Sequence, residues 1–327
     1  MASGFPPQKQ ETQPGVQHAM DPTPQFSSPN YKPSNKLHVI RKSGASDRRR
    51  LRYRSSSVSL LRAEGASVAF TYVKGREDKD ADETLRLLHE AKTKEAKEPI
   101  MIATDLGFEE NCKRTVDEVV NAFGRIDVLV NCAAEQHEVS IDEIEEARLE
   151  RVFRTNIFSQ FFLVKYALKH MKEGSSIINT TSVVAYNAGS SSLLEYASTK
   201  GAIVSFTRAL ALQLASKGIR VNGVAPGPVW TPLITASFSE EAIKQFGSET
   251  PMKRAAQPVE VAPSYVFLAC EHCSSYYTGQ ILHPNETTKV FVVATVNANV
   301  ILCRWFYRER LSLSKVFLSV GMDGIRI

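Results

Sequence analysis

The sequence predicts a doubly wound α/β domain: a parallel sheet with helices on both faces. Three observations point there. Short apolar runs alternate with longer amphipathic runs through the middle of the chain, the pattern of successive strand–helix units. Some runs, such as Val128-Leu-Val, are continuously apolar, as strands covered on both faces are. Others turn small or hydroxyl-rich at their C-terminal end, where a parallel strand meets its ligand crevice.

The strands in order are Ser67 to Val73, Ile100 to Thr104, Val128 to Asn131, Ser176 to Thr180 and Val221 to Ala225. Each is a short apolar or β-branched run. The helices between and after them are Asp80 to Ala96, Glu109 to Phe123, Ile144 to Met171, Tyr196 to Lys217 and Val259 to Cys270. Each of these is longer and amphipathic or helix-spaced.

A chain of 327 residues with 43% hydrophobic content fits one large domain with tails better than two full domains. The first 36 residues are rich in Pro, Gln and Ser, lack Arg, and carry Glu11 and Asp21. That composition predicts a disordered leader and argues against an organelle transit peptide. Five cysteines without a secretory leader point to a reducing compartment, with the cytoplasm as default. Cys270-Glu-His272-Cys273 has no further clustered ligands, so no metal site is expected. The formal charge is +5 and its excess is local, which speaks against a general nucleic-acid or membrane partner.

The candidate chemistry centres on Tyr196 and Lys200, four apart on one helix face. A free phenol, with a pKa near 10, is a poor acid–base catalyst at neutrality, but an adjacent ammonium favours the phenolate. Ser182 ends the run Ser176-Ile-Ile-Asn-Thr-Thr-Ser182 and could hold a substrate oxygen. Asn131 closes a buried strand followed by the small residues Cys132, Ala133 and Ala134, where backbone can approach a flat cofactor. Asn156 interrupts a mostly apolar helix pattern, and a buried amide needs a reason to be there.

In that order and at those spacings, these segments resemble the short-chain dehydrogenase/reductase family over residues 64 to 285. A finer likeness, to the plant glucose and ribitol dehydrogenase group, rests on Val68-Ala-Phe-Thr-Tyr-Val73, Ala133-Ala-Glu-Gln136, Ala225-Pro-Gly-Pro-Val-Trp-Thr-Pro232 and Gly279-Gln-Ile-Leu-His-Pro-Asn285. The resemblance implies a Rossmann-type fold and a nicotinamide cofactor. It implies hydride transfer to or from a CH–OH or carbonyl carbon of a sugar or polyol. It makes Tyr196 the acid–base group, Lys200 the residue that lowers its pKa and holds the ribose, Ser182 the orienting hydroxyl, and Asn156 part of a proton relay. Contacts to the cofactor are implied for Tyr72, Asp105, Leu106, Asn131, Ala133, Pro226, Gly227, Val229 and Thr231, besides Tyr196 and Lys200. Asp105 has a second reading as a helix N-cap. The family also implies a homo-oligomer, often a tetramer.

The end of the second strand reads Thr71-Tyr72-Val73-Lys74-Gly75-Arg76. It carries no carboxylate to bind a ribose 2'-hydroxyl, and its two cations favour NADP over NAD. Lys74 and Arg76 also read as solvent-facing.

Two segments depart from the pattern. The domain spans 37–285, but 37–63 is atypical. The Gly-rich turn that should follow a first strand is missing, and Lys42-Ser-Gly-Ala-Ser-Asp-Arg-Arg-Arg-Leu-Arg-Tyr-Arg-Ser55 stands there instead. Those arginines could form an acidic-partner or nucleic-acid patch, or a solvated loop. A third reading is a shift of frame beginning after Leu37 and restored near Ala63. With suitable codons read one base later, positions 42 to 54 become Lys-Val-Ala-Leu-Val-Thr-Gly-Gly-Asp-Ser-Gly-Ile-Gly. Arg48, Arg49, Arg52 and Arg54 then fall where glycines are needed. As written, the segment predicts weak cofactor binding, and the rival reading is a catalytically impaired, partner-binding relative. The second departure is an unmatched extension over 286–327, in which Lys289 to Cys303 is apolar enough for a strand.

Overall fold

The computed structural model describes residues 5–13, 15–28, 30–34, 36–37, 43–46, 51–91, 93, 96–187, 192–285, 293–296 and 299–302. Its main unit, Met1–Val290, is built on a seven-stranded sheet of order β3-β2-β1-β4-β5-β6-β7. The strands are β1 Ser43–Ser46, β2 Ser67–Tyr72, β3 Ile100–Ala103, β4 Val128–Asn131, β5 Ser176–Thr180, β6 Arg220–Val224 and β7 Ile281–Leu282. All pair in parallel, and the crossovers carry α1 Leu51–Ala63, α2 Asp78–Glu90, α3 Glu109–Phe123, α4 Glu146–Phe153, α5 Ser159–Ala167, α6 Val184–Asn187 and α7 Leu194–Leu214. The helices α8 Pro232–Ser237, α9 Glu240–Gln245, α10 Pro258–Ala269 and α11 Glu271–Ser274 follow β6. The chain thus has the Rossmann-type order expected of it, with the switch of strand order between β1 and β4.

The pleat explains the two cores. Val68, Phe70 and Tyr72 of β2, with Val128 and Val130 of β4, face α1, α2 and α10. Ala69, Leu129, Ile177 and Val221 face the other way, against α3, α5 and α7. Successive residues serve opposite faces, so the central strands carry apolar residues toward both.

Three elements carry details absent from the periodicity. The helical run expected over 144–171 is broken by a π-helical turn at Arg154–Phe158, which contains Asn156; such bulges cluster at functional sites. The helix expected from Asp80 begins at Asp78 and ends at Glu90. β1 forms on the hydroxyl-rich Ser43–Ser46, in register with Ser67–Phe70 of β2. The adjoining segments 38–42 and 47–50, which hold Arg41, Arg48, Arg49 and Arg50, lie outside the described residues.

The leader departs from its composition-based expectation of disorder, because its described part is pinned along the domain. The Phe5 ring stacks on Trp230 at 3.6 Å, and the Trp230 indole donates to Pro22 O at 2.7 Å. Asp80 accepts from the backbone N–H groups of Gln17 and His18 at 2.7 and 3.2 Å. Farther on, Glu64 accepts from Tyr31 Oη at 2.6 Å, from Lys36 N and Nζ at 2.8 and 2.9 Å, and from Ser34 N at 3.2 Å. Composition misleads here because Trp230, Asp80 and Glu64 on the body supply partners that a polar segment lacks on its own.

Burial pushes the Glu64 carboxyl up, but the hydrogen bonds from Tyr31, Lys36 and Ser34 outweigh it and leave the group below the ordinary carboxylate range. Glu64→Ala should cost about 3 kcal/mol, the scale for breaking a buried, charge-assisted cluster. Glu64's contribution is fully present above the unfolded carboxylate pKa of about 4.3 and is lost as pH falls through the lower folded value. Urea midpoints of the two proteins should therefore differ at pH 7 and converge in strong acid. Equal midpoints at pH 7 would refute the assignment.

The second unit, Phe291–Ile327, contains an antiparallel hairpin of β8 Val293–Val296 and β9 Asn299–Leu302. The single apolar run expected as one strand folds back on itself there. Among the described residues, no helix is long and apolar enough to cross a membrane. Nor do any three His, Cys, Asp or Glu side chains among them cluster to hold a metal.

Candidate active site

β5 ends at Thr180, and Thr180 and Thr181 meet α7. Thr180 O accepts from Lys200 Nζ at 2.9 Å, and Thr181 Oγ1 donates to Lys200 O at 2.7 Å. The strand end thus holds the lysine at both its ammonium and its backbone. One helical turn earlier, the Tyr196 ring centroid lies 5.3 Å from Lys200 Nζ, as i,i+4 spacing demands. Both side chains are buried, at 7% and 1% exposure.

Asn156 ties this helix to the loop after β4. Its Oδ1 accepts from Glu135 N at 2.6 Å, and its Nδ2 donates to Glu135 O at 2.8 Å and to Thr199 Oγ1 at 3.0 Å. The buried amide that looked out of place in an apolar helix is a clamp between two parts of the site. Arg151, five residues earlier, reaches Asp105 Oδ2 at 2.8 Å and Glu135 Oε1 at 3.3 Å.

A cavity of about 750 Å³ is lined by Ser182, Tyr196 and Lys200 together with Pro226, Gly227, Val229 and Thr231. Seven of the residues singled out from sequence therefore share one space. Asn156, Tyr72, Asp105, Leu106, Asn131 and Ala133 do not line it. Tyr72 closes β2, half a sheet away, with its phenol pushed up by burial and then by Asp78 and Asp82. Leu106 is buried in the core beneath α3.

The N-cap reading of Asp105 is not realised, since Phe108 caps α3. Asp105 Oδ1 instead accepts from Gly107 N at 2.9 Å, a tight Asx turn. Gly227 is needed for packing: a Cβ there would sit 2.9 Å from the Asn285 Cβ.

A sequence profile described as enoyl-(acyl carrier protein) reductase matches residues 56–286, more than half of the chain. The chain is a short-chain dehydrogenase/reductase. It is 84% identical over 287 residues to "Glucose and ribitol dehydrogenase homolog 2" of Arabidopsis thaliana, covering 87% of this chain and 98% of that protein. It is 70% identical over 283 residues to "NADPH-dependent aldehyde reductase 1, chloroplastic" of the same plant, covering 85% and 96%. Among solved structures, the short-chain dehydrogenase/reductase from Serratia marcescens matches with a TM-score of 0.68 and 27% identity, over 75% of this chain and 96% of that one.

The family binds NAD(P), and this dehydrogenase/reductase has residues that suit it. Asn131 donates to Asn179 Oδ1 at 2.8 Å, and among the described residues its own buried Oδ1 has no partner, at the mouth of the sheet's switch point. An acceptor stranded there is what a cofactor donor would satisfy. The profile begins at 56, beyond the arginine-rich stretch, and ends at 286, where the extension begins.

Sequence reasoning gave no role to Gln136, which lines the cavity. Nor did it single out the wall of Leu193 and Phe238 that packs around Tyr196 and Ala134. The hint was present in the run Ala133-Ala-Glu-Gln136, where a long amide follows three small or backbone-clamped positions.

Proposed function

We propose that this chain interconverts a carbonyl and an alcohol, with Tyr196 moving the proton. One observation carries the reading: Ser182, Tyr196 and Lys200 face a single cavity, with the ammonium held beside the phenol. A bound nicotinamide supplies or accepts the hydride. In reduction, Tyr196 Oη gives its proton to the substrate oxygen while Ser182 Oγ donates a hydrogen bond to the same oxygen. Lys200, anchored on Thr180 O, favours the phenolate that results. Asn156 keeps α7 and the β4 loop in register through Thr199 and Glu135, which suits a place in the proton path.

Tyr72, Asp105, Leu106, Asn131, Ala133, Pro226, Gly227, Val229 and Thr231 would hold the dinucleotide, with Lys200 on its ribose. NADP is the favoured form, because Lys74 and Arg76 stand exposed after β2 and no carboxylate takes their place. Sugars and polyols are the first substrate class. A second class, aldehydes, is favoured by the apolar wall at Leu193, Leu233, Phe238 and Phe246 and by the printed name of the 70% identical relative.

The test is a titration with NADPH and NADH, followed by turnover of an aldose and a simple aldehyde. NADPH should bind about tenfold more tightly, the worth of one charge-assisted hydrogen bond. No binding of either at millimolar concentration would favour the impaired relative instead.

A homo-oligomer, by family habit a tetramer, belongs to the same reading. Leu149, Phe158 and Phe161 around α4–α5 and Leu212 on α7 leave apolar surface exposed, which association would cover. Sedimentation as a monomer would overturn it. We place the protein in the cytoplasm; co-fractionation with plastids, as the name of the chloroplastic relative suggests for that protein, would move it.

A further inference from the structure

Gln136 is only 3% exposed, it lines the cavity, and its Nε2 has no partner among the described residues. A buried amide donor left unpaired is costly and uncommon. Its place is rigidly set from both sides. On one side Asn156 grips both backbone groups of Glu135. On the other, Gln136 O accepts from Gln13 Nε2 of the leader and from Ser237 Oγ of α8, the latter at 3.3 Å. Gln13 Nε2 also reaches Ser237 Oγ at 3.3 Å. Three separate chain segments thus converge on the backbone of 135 and 136 and fix the position of a cavity-lining residue whose amide donor is unsatisfied.

We propose that Gln136 reads a second substrate oxygen beside the reacting carbon, and that Gln13 of the leader positions it. The ligand class is a carbonyl compound with a neighbouring hydroxyl, such as an α-hydroxy aldehyde or open-chain sugar. A hydroxyl oxygen accepts from Nε2 and removes the penalty, whereas a simple aldehyde leaves it standing. The inference rests on the proposed carbonyl–alcohol activity. It gives the leader a part in substrate choice.

The test compares kcat/KM for glyceraldehyde and for propanal with NADPH, in wild type, Gln136→Met, Gln136→Leu and Gln13→Ala. Met and Leu are near Gln in size and neither can hydrogen-bond a hydroxyl from that position, so one stands in if the other fails to fold. The glyceraldehyde-to-propanal ratio should fall about tenfold in either Gln136 variant, through KM more than kcat. Gln13→Ala should lower it about threefold alone and add nothing to Gln136→Met, the sign of a residue acting through another. An active wild type whose ratio is unchanged in Gln136→Met overturns the Gln136 assignment and leaves the activity standing. A wild type that turns over neither aldehyde with NADPH bound overturns both.

Discussion

Tyr196→Phe should lower kcat about a thousandfold while leaving NADPH affinity within about twofold of wild type. The factor is that of a lost general acid–base group and corresponds to about 4 kcal/mol of transition-state stabilisation. The substitution is chosen for what it leaves in place. The ring packs with Ala134, Leu193, Val184 and Phe238 and lies beside Lys200 Nζ, contacts that phenylalanine retains. Only the hydroxyl goes, so fold and cavity should persist. Stopped-flow single turnovers would separate the chemical step from product release. A variant keeping more than a tenth of wild-type turnover would show that another group, such as Ser182, moves the proton.

The same packing indicates which parts of the site could be read from the chain. Tyr196, Lys200 and Ser182 were legible because one helix and one strand end bring them together through short-range geometry. Asn156 was legible as an anomaly, a buried amide among apolar neighbours. What it grips was not, because Glu135 lies 21 residues away across a β4 loop whose shape no periodicity encodes. Gln136 was harder still, since its backbone partner Gln13 is 123 residues distant in a segment whose composition reads as disordered. The sheet was nearly transparent, as burial on both faces forces apolar runs. The exceptions are β7, only two residues long, and β1, whose residues break that rule.

Rewriting β1 should produce the second large effect. β1 lies between β2 and β4, with Ser43–Ser46 paired to Ser67–Phe70 and Gly44–Ser46 to Val128–Val130. A central parallel strand calls for apolar side chains on both faces, and Ser-Gly-Ala-Ser supplies almost none. The one-base-shifted reading places Val-Ala-Leu-Val on those same four positions, with glycines at 48, 49, 52 and 54. The two arguments are independent: one comes from strand pairing, the other from the genetic code. The replacement is Ser43→Val, Gly44→Ala, Ala45→Leu, Ser46→Val, Asp47→Thr, Arg48→Gly, Arg49→Gly, Arg50→Asp, Leu51→Ser, Arg52→Gly, Tyr53→Ile and Arg54→Gly. It should raise unfolding free energy by about 4 kcal/mol, since burying each Val or Leu is worth about 1.5–3 kcal/mol. It should also tighten NADPH binding at least a hundredfold, because glycines let backbone N–H groups approach a pyrophosphate at a helix N-terminus. Arginines in those places would attract phosphate by charge alone, without the close backbone cradle that glycines permit. Unchanged urea midpoint and unchanged NADPH affinity together would mean that β1 tolerates its hydroxyls and that the chain binds cofactor by another route. Codons incompatible with the shifted frame would remove the genetic explanation while leaving the expected gain in stability intact, since that gain follows from strand pairing alone.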